Sequence, residues 1–170
     1  MFQSVHDGYF IAGLISFLLA HLFYLWAFTI TYLNNHEIAL IKRQGWVLVL
    51  VIGYGILFFR EIKEHVGSLI GPVMLYTAAI TIMLLMAVNR FGRVGRASFW
   101  LVASGAALFV ASDSILAWNK FVESLPGSHF LIMLTYGVAQ LLIVLGAIKQ
   151  VEDTRENRLN SISHHQARSV

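Results

Sequence analysis

The sequence contains no cysteine, which excludes disulfides, thiolate metal sites and cysteine nucleophiles. It has two prolines, Pro72 and Pro126. Only 12% of its residues are charged, where a soluble domain carries about a quarter. No basic patch interleaved with aromatics is present, so nucleic acid is not an expected partner. A phosphate loop, a GxSxG elbow and a dinucleotide fingerprint are missing. No secretory leader is expected, because Met1 to Asp7 is polar, lacks Lys and Arg, and runs into a full-length apolar span.

What is there is apolar, 58% of 170 residues, and it comes in long blocks. Five blocks separate at Gly8–Leu33, Gly45–Phe59, Val66–Val88, Ala97–Trp118 and Gly127–Ile148. All exceed the length of an ordinary strand and none alternates with period two, so helices are the reading. The expected fold is all-α, a polytopic transmembrane helical bundle of about five spans. Residues 1–150 form the helical domain in this reading, and residues 151–170 a polar, flexible tail. The second block is short for a span. It is expected to extend on both sides, with Lys42, Arg43, Arg60 and Lys63 snorkelling to the headgroups. Pro72 falls near the start of the third helix, where it is tolerated, and Pro126 breaks the chain between the fourth and fifth.

Charge placement gives an orientation. Nine cations gather on one side: Lys42, Arg43, Arg90, Arg93, Arg96, Lys149, Arg155, Arg158 and Arg168. Arg60, Lys63 and Lys120, three in all, occupy the other. The positive-inside rule then places the N-terminus outside and the C-terminus in the cytoplasm.

Asp113 stands inside the fourth block, in the run GAALFVASDSILAWNKF from Gly105 to Phe121. A carboxylate at such depth costs roughly 2.5–3.5 kcal/mol on insertion scales, so it is normally retained for a purpose. Gly105, Phe109, Asp113 and Ala117 recur every four residues and share a helix face. The small residues let neighbouring helices come close. Two readings stand: an acid facing a cavity, or a protonated Asp hydrogen-bonded to a neighbouring helix. Ser112 lies beside it.

Other polar residues fall inside the spans. Phe17, His21, Tyr24 and Phe28 share a face of the first helix. His21 either relays a proton or sits neutral against a helix carbonyl. Tyr76, Ile80, Met83 and Ala87 form a stripe on the third helix, which is packing first, with one hydroxyl to place. Tyr136, Gln140 and Ile143 share a face of the fifth. A buried glutamine needs partners for its amide, so Gln140 faces protein, either positioning a substrate or joining helices. His6, His65 and His129 are scattered singly on one side without ligand spacing, so no metal is expected.

With these residues in view, the chain resembles the YhhN-like lysoplasmalogenase family. The resemblance rests on Gly13, Phe17, Ala20, His21 and Tyr24 in GLISFLLAHLFY, and on Gly105, Phe109, Ser112, Asp113 and Ala117 in GAALFVASDSILA. Tyr136, Ala139 and Gln140 in YGVAQLLI support it, and the third helix, with Tyr76 and Ala87, matches more loosely. The resemblance implies hydrolysis of the vinyl-ether bond of lysoplasmalogens to a fatty aldehyde and a glycerophospho-base, with no cofactor. Its implied substrate is a lysophospholipid within the membrane, and its implied place a bacterial inner (cell) membrane. Family members typically have about eight spans. Their N-terminal part carries a lysine–proline pair and a second intramembrane aspartate, and the present sequence is expected to begin downstream of it.

Vinyl-ether hydrolysis begins with protonation at carbon, and water then attacks the oxocarbenium ion. It needs a general acid that stays protonated near neutral pH, the form of a carboxyl group that apolar surroundings favour. The resemblance therefore assigns the acid to Asp113 and leaves His21, Tyr24 or Gln140 to activate water or stabilise the cation. Tyr24, Tyr76, Ser112 and Tyr136 are the candidates for holding substrate. The alternative is a non-catalytic lipid-binding or proton-coupled transport protein of the same fold.

Overall fold

The computed structural model describes residues 2–33 and 45–168, with side-chain surroundings for residues 12–29, 45–163 and 166. Lys42 and Arg43, and the side chains of His6 and Arg168, lie outside them. The described chain forms helices α1 (Phe2–Leu33), α2 (Gly45–Ile62), α3 (Ile70–Val88), α4 (Arg96–Phe121) and α5 (Ser128–Arg168). A short 3-10 turn, Gly67–Leu69, leads into α3. Among the described residues, five helices are long and apolar enough to cross a membrane. In lipid every backbone N–H and C=O must be satisfied within the chain, and a helix does this inside one segment. The outer surface matches that solvent, with Phe23, Trp26, Trp46, Leu75, Trp100 and Phe130 exposed. The protein is a multi-pass integral membrane protein.

Side-chain contacts fix the alternation of the helices. Arg90 after α3, Ser98 of α4 and Gln150 of α5 meet at one end. Ile62 of α2, Val66 before the turn and Val73 of α3 cluster at the other, with Ala117 and Phe121 of α4 packed against them. The main core lies between these ends. It joins Phe28, Met83, Ala87, Val102, Ala106, Phe109, Ala139 and Ile143, drawn from α1, α3, α4 and α5.

Two glycines allow α4 and α5 to touch. A Cβ on Gly105 would lie 2.9 Å from the carbonyl oxygen of Ala139, and one on Gly146 would lie 2.6 Å from Cγ2 of Val102. Small residues do the same work at other membrane helix contacts, where dispersion replaces the hydrophobic effect. Gly55 brings α2 onto α3, since a Cβ there would lie 2.6 Å from Oγ1 of Thr81.

The polar tail differs from the sequence expectation, because α5 continues as helix to Arg168. Its length is about 60 Å at 1.5 Å per residue, twice the roughly 30 Å of a hydrocarbon core. Local charge supports the extension. Lys149 pairs with Glu152 at 3.5 Å and with Asp153 at 3.3 Å, three and four residues on. Asp153 also lies against Gly95, at the N-terminus of α4, where a carboxylate complements the helix dipole.

Candidate active site

α4 carries Asp113 on the same buried face as Gly105 and Phe109. Asp113 is 6% exposed, and one of its carboxyl oxygens has a partner from α3: the Tyr76 hydroxyl donates to Oδ2 at 2.8 Å. His21 of α1 is fully buried. Its Nδ1 lies 2.6 Å from the carbonyl oxygen of Phe17, one turn earlier in the same helix. A carbonyl only accepts, so Nδ1 bears the hydrogen and Nε2 bears the lone pair. Nε2 is buried and has no hydrogen-bond partner. The imidazole stands edge-on to Phe109 at 4.8 Å and to Tyr76 at 5.5 Å between ring centroids.

A second polar pair joins α1 to α5, where the Tyr24 hydroxyl donates to Oε1 of Gln140. The Tyr24 ring lies 6.4 Å from His21 and stacks on Phe28 at 6.3 Å. Tyr136 of α5 closes the wall, edge-on to Phe17 at 5.4 Å and to Phe109 at 5.5 Å. The hydroxyl of Ser112 points elsewhere and donates to the backbone of Ile132 at 3.1 Å, tying α4 to α5.

Asp113, His21, Tyr24, Tyr76, Tyr136 and Gln140 are thus drawn into one continuous cluster, with Ser112 at its edge. α3 walls this cluster together with α1, α4 and α5, because Tyr76 bridges Asp113 and the imidazole. The stripe that reads first as packing therefore carries one polar contact of the centre. The cluster combines a carboxyl group held at one oxygen, an imidazole with an unshared lone pair, and aromatic walls. These are the parts of an acid–base pair in apolar surroundings. Among the described residues no three His, Asp or Glu side chains gather as a metal site would require.

The sequence reading used Arg90 only to orient the chain, yet its side chain is buried beneath Phe28. A signal was available, since Arg90 continues the stripe Tyr76, Ile80, Met83, Ala87 at helical spacing. An open apolar groove of about 610 Å³ runs between α2 and α3, lined by Ile56, Met74 and Thr81 among others, with Arg60 and Lys63 along it. It follows the face of α3 opposite Tyr76 and does not join the Asp113 cluster.

Similar proteins carry names that bear on this chemistry. The chain is 33% identical over 140 residues to lysoplasmalogenase TMEM86B of Homo sapiens, covering 82% of this chain and 54% of that protein. It is 36% identical over 136 residues to lysoplasmalogenase TMEM86B of Sus scrofa, covering 80% and 53%. Lysoplasmalogenase TMEM86A of Bos taurus is 33% identical over 157 residues, covering 91% and 62%. The chain thus spans between about half and three-fifths of the length of these relatives. No solved structure matches it. The YhhN family model matches residues 2–147, from the first turn of α1 into the upper half of α5, and the chain belongs to the YhhN family.

Proposed function

We propose that this protein hydrolyses the vinyl-ether bond of a lysophospholipid within the membrane, releasing a fatty aldehyde and a glycerophospho-base. Three relatives named lysoplasmalogenase support the reaction class. The observation that carries the assignment to residues is the buried Tyr76–Asp113 hydrogen bond beside an imidazole whose Nε2 has no partner.

Asp113 is the general acid. Tyr76 occupies Oδ2, so the remaining oxygen carries the proton given to the alkenyl carbon. The C–H bond forms and the double-bond electrons shift, leaving positive charge shared between the former vinyl carbon and the ether oxygen. Water adds to that carbon, and His21 takes the water's proton at Nε2. The hemiacetal then breaks its bond to the glycerol oxygen, which takes the proton held at His21 Nε2 while the hemiacetal hydroxyl gives its proton to the Asp113 carboxylate, giving aldehyde and alcohol and restoring both side chains. Tyr24 and Gln140 hold each other and the α1–α5 spacing, and with Tyr136 they line the apolar walls against the alkenyl chain. The surplus of cations on one side supports an N-terminus outside.

The test compares two synthetic lysolipids that share a headgroup, one with an alkenyl and one with a saturated alkyl ether. The protein should release aldehyde from the first and nothing from the second, since an alkyl ether cannot be protonated at carbon to an oxocarbenium ion. Binding of both without turnover of either would overturn the hydrolase reading in favour of a lipid-binding protein.

A further inference from the structure

Arg90 takes no part in that chemistry. It lies just past the end of α3, at the arginine-bearing end of the bundle, and is 3% exposed. Its Nη2 donates to Oγ of Ser98 at 3.0 Å and to Oε1 of Gln150 at 2.6 Å, both neutral groups. Ser98 is itself fixed, donating to the carbonyl of Gly146 at 2.7 Å. The guanidinium carbon stands 5.2 Å from the centroid of the Phe28 ring. Nε and Nη1 are buried and have no hydrogen-bond partner. Among the described residues no carboxylate pairs with Arg90. Burial lowers its pKa to about 10. It is therefore a cation at neutral pH, removed from water, held in place by three neutral contacts and, among the described residues, without a counter-charge. Such an arrangement is costly unless an anion completes it.

We propose that Arg90 anchors a phosphate-binding site at this end of the bundle, carried by a phospholipid headgroup or by free phosphate. A guanidinium suits phosphate oxygens better than an ammonium does, through its planar donors and weak hydration. Phe28, Ser98 and Gln150 pre-set the orientation of the side chain, so little freedom is lost on binding. The position fits a headgroup, because the apolar span of α3 ends at Val88, two residues before Arg90. The exposed Arg96 adds positive potential at the same end.

This site is separate from the proposed reaction centre. Ser98, which touches Arg90, precedes Asp113 by fifteen residues on α4, about 22 Å along the axis. The phosphate and vinyl ether of one lysolipid are separated by a glycerol unit, under about 10 Å even when extended at 1.5 Å per bond. A phosphate on Arg90 therefore belongs to a second molecule and not to the substrate at Asp113.

The experiment reads binding, so it does not depend on turnover. The full chain is purified in a maltoside detergent, which carries no phosphate. Thermal unfolding is followed with phosphatidylglycerol against a phosphate-free glucosyl diacylglycerol, and with sodium phosphate against sodium chloride at equal ionic strength. Native mass spectrometry counts retained lipid. One retained phosphatidylglycerol per chain and a raised midpoint support the proposal with a lipid source. A rise with inorganic phosphate of the same size supports it with a free-phosphate source. Arg90→Gln should weaken the response at least tenfold, while Arg155→Gln, an exposed tail cation, should leave it unchanged. If Arg90→Gln does not fold, Arg90→Lys replaces it. Lysine keeps the charge and loses the planar donors, so a tenfold loss supports the proposal and affinity within twofold of the parent overturns it. No rise with either phosphate compound in the parent chain overturns it outright, as does an Arg90→Gln chain that responds like the parent.

Discussion

At the scale of single residues, Tyr76 and His21 have different jobs, and substitutions should separate them. Tyr76→Phe removes only the hydroxyl that holds Oδ2 of Asp113. Aldehyde release should fall about tenfold in kcat, the effect of roughly 1.4 kcal/mol and in the range of one hydrogen bond. KM should move less than twofold. A fall confined to KM would mean that the hydroxyl meets substrate instead of the acid. His21→Phe keeps an aromatic ring, removes Nε2, which has no partner to lose, and gives up the Nδ1 bond to the Phe17 carbonyl. Stability should fall by about 1 kcal/mol, the worth of one hydrogen bond, while kcat falls at least about 100-fold, as loss of a general base does. A stable variant with parental kcat would remove His21 from the mechanism. Asp113, His21, Tyr24 and Gln140 were legible in the sequence because polar groups deep in apolar runs are rare. The contact between Tyr76 and Asp113 was not, since helical spacing places Tyr76 on a stripe without saying which neighbour that stripe meets. Arg90 shows the same limit from the other side. Its position past the apolar run reads as a flanking charge, its place on the Tyr76 stripe is a weak signal of burial, and the packing against Phe28 and Gln150 shows it.

At the scale of elements, the pairing of α4 with α5 sets the site, because Phe109 of α4 meets Tyr136 of α5 edge-on at 5.5 Å, one helical turn from Asp113 and from Gln140. Gly105 is a point of close backbone approach in that pair. A methyl group there would meet backbone, at 2.9 Å from the Ala139 oxygen and 3.0 Å from the Ile143 nitrogen, and backbone cannot swing aside. Gly105→Ala should therefore destabilise by about 1–3 kcal/mol, the range for overpacking. Gly71→Ala is the internal comparison, on α3 with nothing within 4 Å of the added carbon. It should be neutral or stabilising by up to about 1 kcal/mol, because alanine loses less freedom in a helix. Thermal unfolding in one detergent orders the two, and equal midpoints would contradict the close α4–α5 contact. The stripe of small residues around Asp113 made this approach legible in the sequence. The helical tail was not legible, because the apolar signal ends at Ile148. Beyond it the helix is supported by the Lys149 pairs and by Asp153 against α4, which depend on which end of α4 lies nearby.

At the scale of the whole molecule, the alternation of five helices followed from block length and from the division of Lys and Arg, and the contacts at both ends agree with it. The direction of that alternation across the membrane is testable because the sequence has no cysteine, so one introduced thiol reports alone. Ser124, exposed in the α4–α5 connection, and Ser163, exposed near the end of α5, are suitable positions. Ser128 is less suitable, being buried with its hydroxyl on Asn119. In intact cells an impermeant reagent should label Ser124→Cys and spare Ser163→Cys, and the reverse pattern would invert the orientation. The most direct test of the account concerns the acid on which the proposed reaction turns. Asp113→Asn keeps the shape of the side chain and can still accept from Tyr76, but it has no acidic proton to give to carbon. Aldehyde release from an alkenyl lysolipid should fall at least about 100-fold beside a parent of equal yield and unfolding midpoint. Release within about threefold of the parent, under 1 kcal/mol of barrier, would contradict the assignment of Asp113 as the general acid.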